Sequence, residues 1–352
     1  MSEKINAALI GLTAPHSKGW LGTLQHLDLV DRLVVCDEEC PELEVPGRCD
    51  QTYTTVEQML QNEALDFALV SMFNDQAPQT AQVLLEAGLP LIIEKPVGRT
   101  AAEVKQLNDV ALRCGVPWAT GFMNRYLPVV QEFRSLVEAG ALGRIVSIEG
   151  RMLTSSVQQR NPAAPIFSHQ RSGGGILHWL GIHTIDLIRY ISGLEYRSAM
   201  GQVATLSDTE IDVEDMAVAS FTMDNGALGN LHCGYVLRQR YGDIYLSMRG
   251  TQGEVVWQMY DFDGAGNTLK VHSQDADGER GTYKEITVLP TKEGEGYGGQ
   301  MGQCYVGDFI RAARRGQPFL TDGQDALRAL ELIEAINASS TSGSLISLSE
   351  AP

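Results

Sequence analysis

The chain reads as two successive folds: an α/β unit with a doubly wound parallel sheet, then an α+β unit built on a large, mainly antiparallel open sheet. Three observations predict this. Residues 65–98 alternate strand, helix and strand: Phe67 to Met72 is apolar, Ala77 to Ala87 is a helix closed by Gly88, and Leu89 to Ile93 is apolar again. Apolar strands separated by a helix belong to a parallel sheet covered on both faces. Beyond Ala141 the pattern becomes one of alternating strands, punctuated by turn signals such as Asp224-Asn225-Gly226 and Asp263-Gly264. From Ser172 to Tyr190, three consecutive glycines run directly into an amphipathic helix.

The elements follow in order. Ile5 to Ile10 is the first strand, Gly19 to His26 a helix, and Leu33 to Cys36 the second strand; Val56 to Gln61 and Thr100 to Cys114 are further helices. The first domain is therefore placed at 1–121 and the second at 122–352. In the second, strands are expected at Ile145 to Met152, Met216 to Thr222, Ala227 to Tyr235, Asp243 to Met248, Val255 to Gln258 and Glu285 to Leu289, with a terminal helix near Ala326 to Ala338. Lys292 to Gly302 holds five glycines. It reads equally as a cover over a substrate or as a plain connection.

Composition sets bounds. The 352 residues are 43% hydrophobic and 20% charged, a globular balance with length for two cores. The net charge of −17 disfavours nucleic acid and anionic lipid, both of which draw on basic patches. The amino terminus enters a strand at once and no apolar run suffices to span a bilayer, so a cytoplasmic protein is expected. Six cysteines include no C-x-x-C pair and no metal-site spacing, which predicts reduced thiols and no metal, with Cys36 buried.

Glycines before a helix cost about 0.5–1 kcal/mol each in backbone entropy, so three in a row predict that a backbone or ligand comes very close. At about 100° per residue, Trp179, His183 and Asp186 fall on one face, while Leu177, Leu180, Ile188 and Ile191 mark an apolar side. The helix alone also fits a tight loop before a core helix with a satisfied histidine. Glu94-Lys95-Pro96, by contrast, follows a sheet strand directly. A lysine there lies at the carboxyl end of the sheet, where open α/β sheets bind ligands.

Glu94-Lys95-Pro96 after such a strand, with the glycine triplet and a helical histidine about eighty residues on, resembles the glucose-fructose oxidoreductase / inositol dehydrogenase / MocA family of nicotinamide-dependent sugar and polyol dehydrogenases. The resemblance covers nearly the whole chain. It extends through Gly121-Phe122-Met123-Asn124-Arg125-Tyr126, Gly140-Ala141-Leu142-Gly143-Arg144-Ile145, Val213-Glu214-Asp215 and Asp224-Asn225-Gly226-Ala227-Leu228-Gly229. It implies a Rossmann first domain and a second domain whose open sheet face builds a homodimer or homotetramer.

The phosphate loop is then Gly11 to Trp20, with Thr13, Ala14, Ser17, Lys18, Gly19 and Trp20 as cofactor contacts. It departs from G-x-G-x-x-G, since Thr13 stands at the second glycine and the loop is extended before Gly19. Alone it reads equally as an ordinary strand-to-helix turn. Asp37, at the end of the second strand, suits the ribose hydroxyls; with Glu38 and Glu39 beside it and no arginine following, NAD is favoured over NADP. The resemblance further places Ser71, Met72, Phe73 and Asn74 along the cofactor and Glu94 and Lys95 near its nicotinamide.

For catalysis it implies His183, ten residues after Gly173, as the base, with Lys95 polarising or orienting the same oxygen. Many members carry an aspartate four residues before that histidine. Here it is Trp179, which accepts no proton but can stack on a sugar face. His178 lies about 140° from His183 on a regular helix and substitutes only if the helix starts late. Asn124, Arg125, Tyr126, Arg171, His178 and Trp179 complete the candidate substrate contacts, with an ordinary salt-bridge or surface role as the equal alternative for Asn124, Arg125, Tyr126 and Arg171. For Asp186, where the family commonly has an aspartate too, the resemblance implies a structural or imidazole-orienting role rather than a new catalytic one.

Three functions fit this sequence. The first is an NAD-dependent dehydrogenase of a sugar, polyol or glycoside. The second retains its NAD and catalyses a redox-neutral elimination, glycoside cleavage or epimerisation. The third is a non-catalytic NAD or sugar sensor.

Overall fold

The computed structural model describes the chain except for residues 1–3, 41, 43, 239–241, 260–265, 275–280, 292 and 350–352. The turn expected at Asp263-Gly264 and the start of the loop at Lys292 lie outside the described residues. Two compact units emerge, one of 1–123 with 291–327 and one of 124–290 with 328–352.

The first unit is a six-stranded parallel sheet in the order β3-β2-β1-β4-β5-β6. Its elements are β1 (Ile5–Ile10), α1 (Ser17–Gln25), β2 (Val30–Cys36), β3 (Gln51–Tyr53), α2 (Val56–Asn62), β4 (Phe67–Val70), α3 (Ala77–Glu86), β5 (Leu91–Ile93), α4 (Ala101–Cys114) and β6 (Trp118–Thr120). Ala7 to Ile10 and Phe67 to Val70 are fully enclosed, as strands covered on both faces require. Thr55 and Thr100 cap α2 and α4 by accepting from Gln58 N and Glu103 N, so each helix starts where its threonine stands.

The chain boundary differs from a single break near Gly121, because residues 291–327 rejoin this unit. Apolar packing and hydrogen bonding explain the return. Phe309 of the later helix Gln300–Arg315 packs on Phe67, Tyr305 donates its hydroxyl to the Thr120 carbonyl, and Thr321 Oγ1 donates to the same oxygen at 3.0 Å.

The second unit is a nine-stranded mixed sheet, order β14-β13-β12-β11-β7-β10-β9-β8-β15. It begins with α5 (Pro128–Glu138) and β7 (Ile145–Ser155), followed by the short α6 (His169–Ser172) and by α7 (Ile182–Ser192). The strands β8 (Tyr196–Ala204), β9 (Met216–Met223), β10 (Leu228–Leu237), β11 (Asp243–Gly250), β12 (Gly253–Met259), β13 (Thr268–Gln274) and β14 (Gly281–Thr287) come next. The helix Gln300–Arg315 is α8; α9 (Gly323–Ser342) and β15 (Ile346–Ser347) close the chain. All pairs are antiparallel except β7 with β10.

Register separates the two faces. One row across the sheet is Gly201, Ala219, Leu231, Gly150, Leu246, Trp257 and Leu269; the next is Gln202, Val218, His232, Arg151, Tyr245 and Gln258. The first row covers the core and the second is open, as a period of two dictates. Gly150 lets α7 dock, since a Cβ there would stand 2.7 Å from Thr184 Cγ2 and 3.1 Å from Ile188 Cδ1.

Candidate active site

In the first unit the loop after β1 is shaped by close approach. Gly11 has φ of 89°, and a Cβ on it would run into the Ser71 carbonyl and stand 2.7 Å from Met72 Cγ, so glycine is required on both grounds. Helix α1 starts at Ser17 rather than Gly19, and Ser17 lies in its first turn. Its hydroxyl is fully buried, donates to Ser71 O at 2.8 Å and pairs with Ser71 Oγ at 3.0 Å. Ser17 therefore anchors α1 to the end of β4.

The three acids at 37–39 do different work. Asp37, buried at the end of β2, accepts from Leu12 N at 2.7 Å, Glu39 N at 2.8 Å and Cys40 N at 3.1 Å, tying that strand end to the loop after β1. Glu38 accepts from Val56 N at the start of α2, and Glu39 accepts from Thr13 Oγ1 and Gln76 Nε2. A cavity of about 850 Å³ beside them is lined by Leu12, Thr13, Lys18, Cys40, Glu42, Glu44 and Thr52. The glycine cradle and this cavity fit a dinucleotide, with the carboxylates of Glu42 and Glu44 and the ammonium of Lys18 on the cavity wall. Ser71 and Asn74 are buried after β4, with Phe73 and Met72 beside them.

At the end of β5, Glu94 is 8% and Lys95 2% exposed. The Lys95–Pro96 peptide is cis, and Val97 has φ of 82°, a conformation that a β-branched residue holds only where its surroundings enforce it. Glu94 accepts from Trp20 Nε1 and faces His16 Nδ1 at 3.3 Å. Burial would raise its carboxyl, yet His16, Lys95 and the Trp20 hydrogen bond hold it below the ordinary value. Burial depresses the Lys95 ammonium and Glu94 offsets part of that, so proton release there is easier than from a solvated lysine.

Sequence reading missed two residues of this group. His16 stands in the loop between two named contacts, and Tyr297 stacks on it from the glycine-rich segment, ring centroids 4.3 Å apart. Tyr297 N donates to Thr23 Oγ1 and Gly19 O, both at 2.9 Å, so the segment is fastened to α1. An aromatic amid five glycines was the available signal.

In the second unit each glycine of the triplet has its own cause. Gly173 ends α6 at φ of 81°; a Cβ on Gly174 would strike the His178 imidazole; one on Gly175 would strike the Glu214 carbonyl. The predicted close approach is thus to a backbone and a side chain of this chain. Glu214, another residue not foreseen in this role, accepts from Gly175 N at 2.7 Å and Leu177 N at 3.1 Å, and so caps the following helix.

That helix departs from regular geometry. Leu177–Gly181 form one π turn, with Ile182 N–H donating to Leu177 O five residues back, before α7 begins at Ile182. The face computed at 100° per residue therefore does not hold between Trp179 and His183. His183 is half-buried, whereas His178 and Trp179 are buried at 2% and 6% exposure. Asp186 pairs with Arg125, Oδ1 to Nη2 at 2.5 Å and Oδ2 to Nε at 3.1 Å, and the guanidinium lies 4.7 Å from the Tyr190 ring centre. The salt bridge is thus the observed partner of Arg125. Asn124 and Tyr126 are half-buried in the 3₁₀ turn Met123–Tyr126, and Arg171 is half-buried in α6.

Among the described residues no cluster of His, Cys, Asp or Glu is placed to hold a metal ion, and no helix is long and apolar enough to cross a membrane.

Comparison with known proteins agrees with this architecture. Residues 5–122 match the oxidoreductase family with an NAD-binding Rossmann fold, and residues 130–256 match a GFO/IDH/MocA C-terminal domain. The rhizopine catabolism protein MocA of Rhizobium meliloti is 25% identical over 87% of this chain and 86% of its own length. The D-apiose dehydrogenase of Paraburkholderia graminis is 25% identical over 98% and 90%. A levoglucosan dehydrogenase structure in complex with NADH and levoglucosan superposes with a TM-score of 0.87 at 21% identity, covering 99% of this chain and all of that one. With both family regions matched in order and the two sheets in place, the chain belongs to the Gfo/Idh/MocA family of NAD-binding oxidoreductases.

Proposed function

We propose that this protein is an NAD-dependent dehydrogenase that moves a hydride between nicotinamide and a hydroxyl or carbonyl of a sugar, polyol or glycoside. The observation that carries this reading is Lys95, an almost fully buried lysine at the carboxyl end of β5 whose ammonium is depressed by burial and steadied by Glu94. Bound NAD supplies the hydride acceptor. Gly11, Thr13, Ala14, Lys18 and Gly19 hold its phosphates, Asp37 and the acidic wall favour a ribose over a 2′-phosphate, and Trp20, Glu94 and the segment Ser71 to Asn74 line its path. His183 takes the hydroxyl proton and Lys95 polarises the oxygen that loses it. Asn124, Tyr126, Arg171, His178 and Trp179 orient the substrate, and Arg125 holds the 3₁₀ turn through Asp186. Relatives named as dehydrogenases of apiose and inositol support the substrate class.

The test is NADH appearance on mixing the protein and NAD with a panel of polyols, free sugars and glycosides. Turnover on one class that is lost in Lys95→Ala supports the reading; equal turnover in Lys95→Ala sinks it. A second reading, a retained cofactor in redox-neutral chemistry, is favoured by the clasp of Tyr297 on His16 and α1, which would hinder dinucleotide exit. Product formation without free NADH would support it.

The open face of the second sheet exposes Met200, Val218 and Val236. A homodimer or homotetramer covering that face is proposed on this ground and on family resemblance.

A further inference from the structure

We propose that His178 is a positioning residue of the reacting site, paired with His183 across the π turn. This deepens the proposed function and rests on His183 being the base.

The argument begins with helix phase. On a regular helix residues five apart lie about 140° from each other, which would turn His178 away from His183. A turn closed by an i→i+5 bond winds less per residue than an α turn, so residues five apart fall much nearer one another round the axis than 140°. The Ile182 N–H to Leu177 O bond is of this kind; the π turn Leu177–Gly181 contains His178 and ends two residues before His183, so most of the chain between the two histidines winds in that wider turn.

The second observation is the bed prepared for the His178 ring. Its Nδ1 and Cε1 lie against Gly174, where any Cβ would collide with them, so the opposite edge with Nε2 is turned away from that backbone. Side chains on a helix lean toward its amino terminus. His178 accordingly leans over Gly174, and His183 leans over the turn that holds His178 and Trp179. A single column of small residue, buried imidazole and half-buried imidazole results.

The chemistry needs such a partner. In alcohol oxidation the hydroxyl proton goes to His183, the carbon-bound hydrogen leaves with its electron pair as hydride to the nicotinamide, and a carbonyl forms. An imidazolium then exists at His183 and is best held by a group that accepts a hydrogen bond. Trp179 donates only, whereas a neutral imidazole both donates and accepts. His178 supplies that acceptor, is not consumed, and fixes the His183 ring for the next turnover.

The deciding experiment is side-chain NMR on histidine-labelled full-length protein, which has seven histidines. The signal lost in His178→Gln assigns His178. In His183→Gln, the His178 imidazole signal should move with a change in its nitrogen shifts while those of His26 and His272 stay. An unmoved His178 signal overturns the pairing, whether or not the protein reduces NAD.

Kinetics give the functional half. His178→Ala should lower kcat by about 10²-fold with the NAD KM changed less than about two-fold, His178→Asn should recover part of the loss, and adding His178→Ala to His183→Ala should cost almost nothing more. Independent, multiplying losses or an undiminished kcat overturn the positioning role. A wild-type protein inert toward every sugar and polyol refutes the proposed function, while the NMR result still decides the pair.

Discussion

The imidazole of His16 lies on the ring of Tyr297, centroids 4.3 Å apart and planes inclined by 23°, although 281 residues separate them. Trp20 meets the same tyrosine edge-on at 5.0 Å, and both His16 and Trp20 contact Glu94. The loop after β1, the strand end that carries Lys95 and the glycine-rich segment are therefore one linked group.

Removing Tyr297 should loosen that group. Tyr297→Ala is predicted to cost about 2 kcal/mol, below the 3–5 kcal/mol of a fully buried aromatic because the residue is only partly buried. NADH should leave it faster, whereas Tyr297→Phe, which keeps the stack, should lose no more than about 1 kcal/mol. Thermal unfolding and stopped-flow release of NADH measure both. Identical release rates in all three proteins would refute a clasp on the cofactor.

Glu94 ties stability to acid. Its carboxyl is held below the ordinary value, so the unfolded chain binds the proton more readily. Its contribution is complete above the ordinary glutamate value near 4.5 and fades as pH falls through the depressed folded value. Glu94→Gln should accordingly flatten the fall of melting temperature below that pH while lowering stability at neutrality. A fall of unchanged steepness in the variant would contradict the assignment.

Asp37 accepts three backbone N–H groups, so its loss acts on fold and cofactor together. Asp37→Ala should reduce stability by about 1–3 kcal/mol through the unmet donors. It should also weaken NAD more than NADP, because one negative charge near the ribose is gone. Parallel titrations with the two dinucleotides decide; equal losses would remove Asp37 from ribose recognition.

Arg125 and Asp186 form a buried ion pair, 5% and 1% exposed at their side chains. Arg125→Ala should destabilise by about 3–5 kcal/mol by stranding the carboxylate, and the Arg125→Ala/Asp186→Ala double variant should be no less stable than the single. Chemical denaturation tests this. Additive losses would mean that the pair is not the unit.

Much of this fold was legible. The apolar runs of β1, β2, β4 and β5 and the capped or glycine-closed helices between them announce the parallel sheet, and Glu94-Lys95-Pro96 marks its ligand end. Short β3 and β6, three residues each, offer too little pattern to stand out. Strand β8, YRSAMGQVA, lacks the alternation that a half-buried strand normally shows. The return of Thr291–Leu327 depends on contacts such as Phe309 with Phe67, which no local pattern encodes. At the site, the glycine triplet and His183 stand out in the chain, but the π turn has no propensity signature and shifts the phase on which Trp179 and His183 were placed together. His16 and Tyr297 meet only through tertiary structure.

The most direct test of hydride transfer is isotopic. The protein is mixed with NAD and with sugars or inositols deuterated at the carbinol carbons, then denatured, and the recovered nicotinamide is weighed by mass spectrometry. Deuterium in the nicotinamide ring from one substrate class, absent with His183→Ala or Lys95→Ala, is the result predicted for net oxidation. Unlabelled nicotinamide alongside a chemically altered, still fully deuterated substrate would contradict net oxidation as the reaction of this protein and is the result that a retained cofactor returning its deuteride would give.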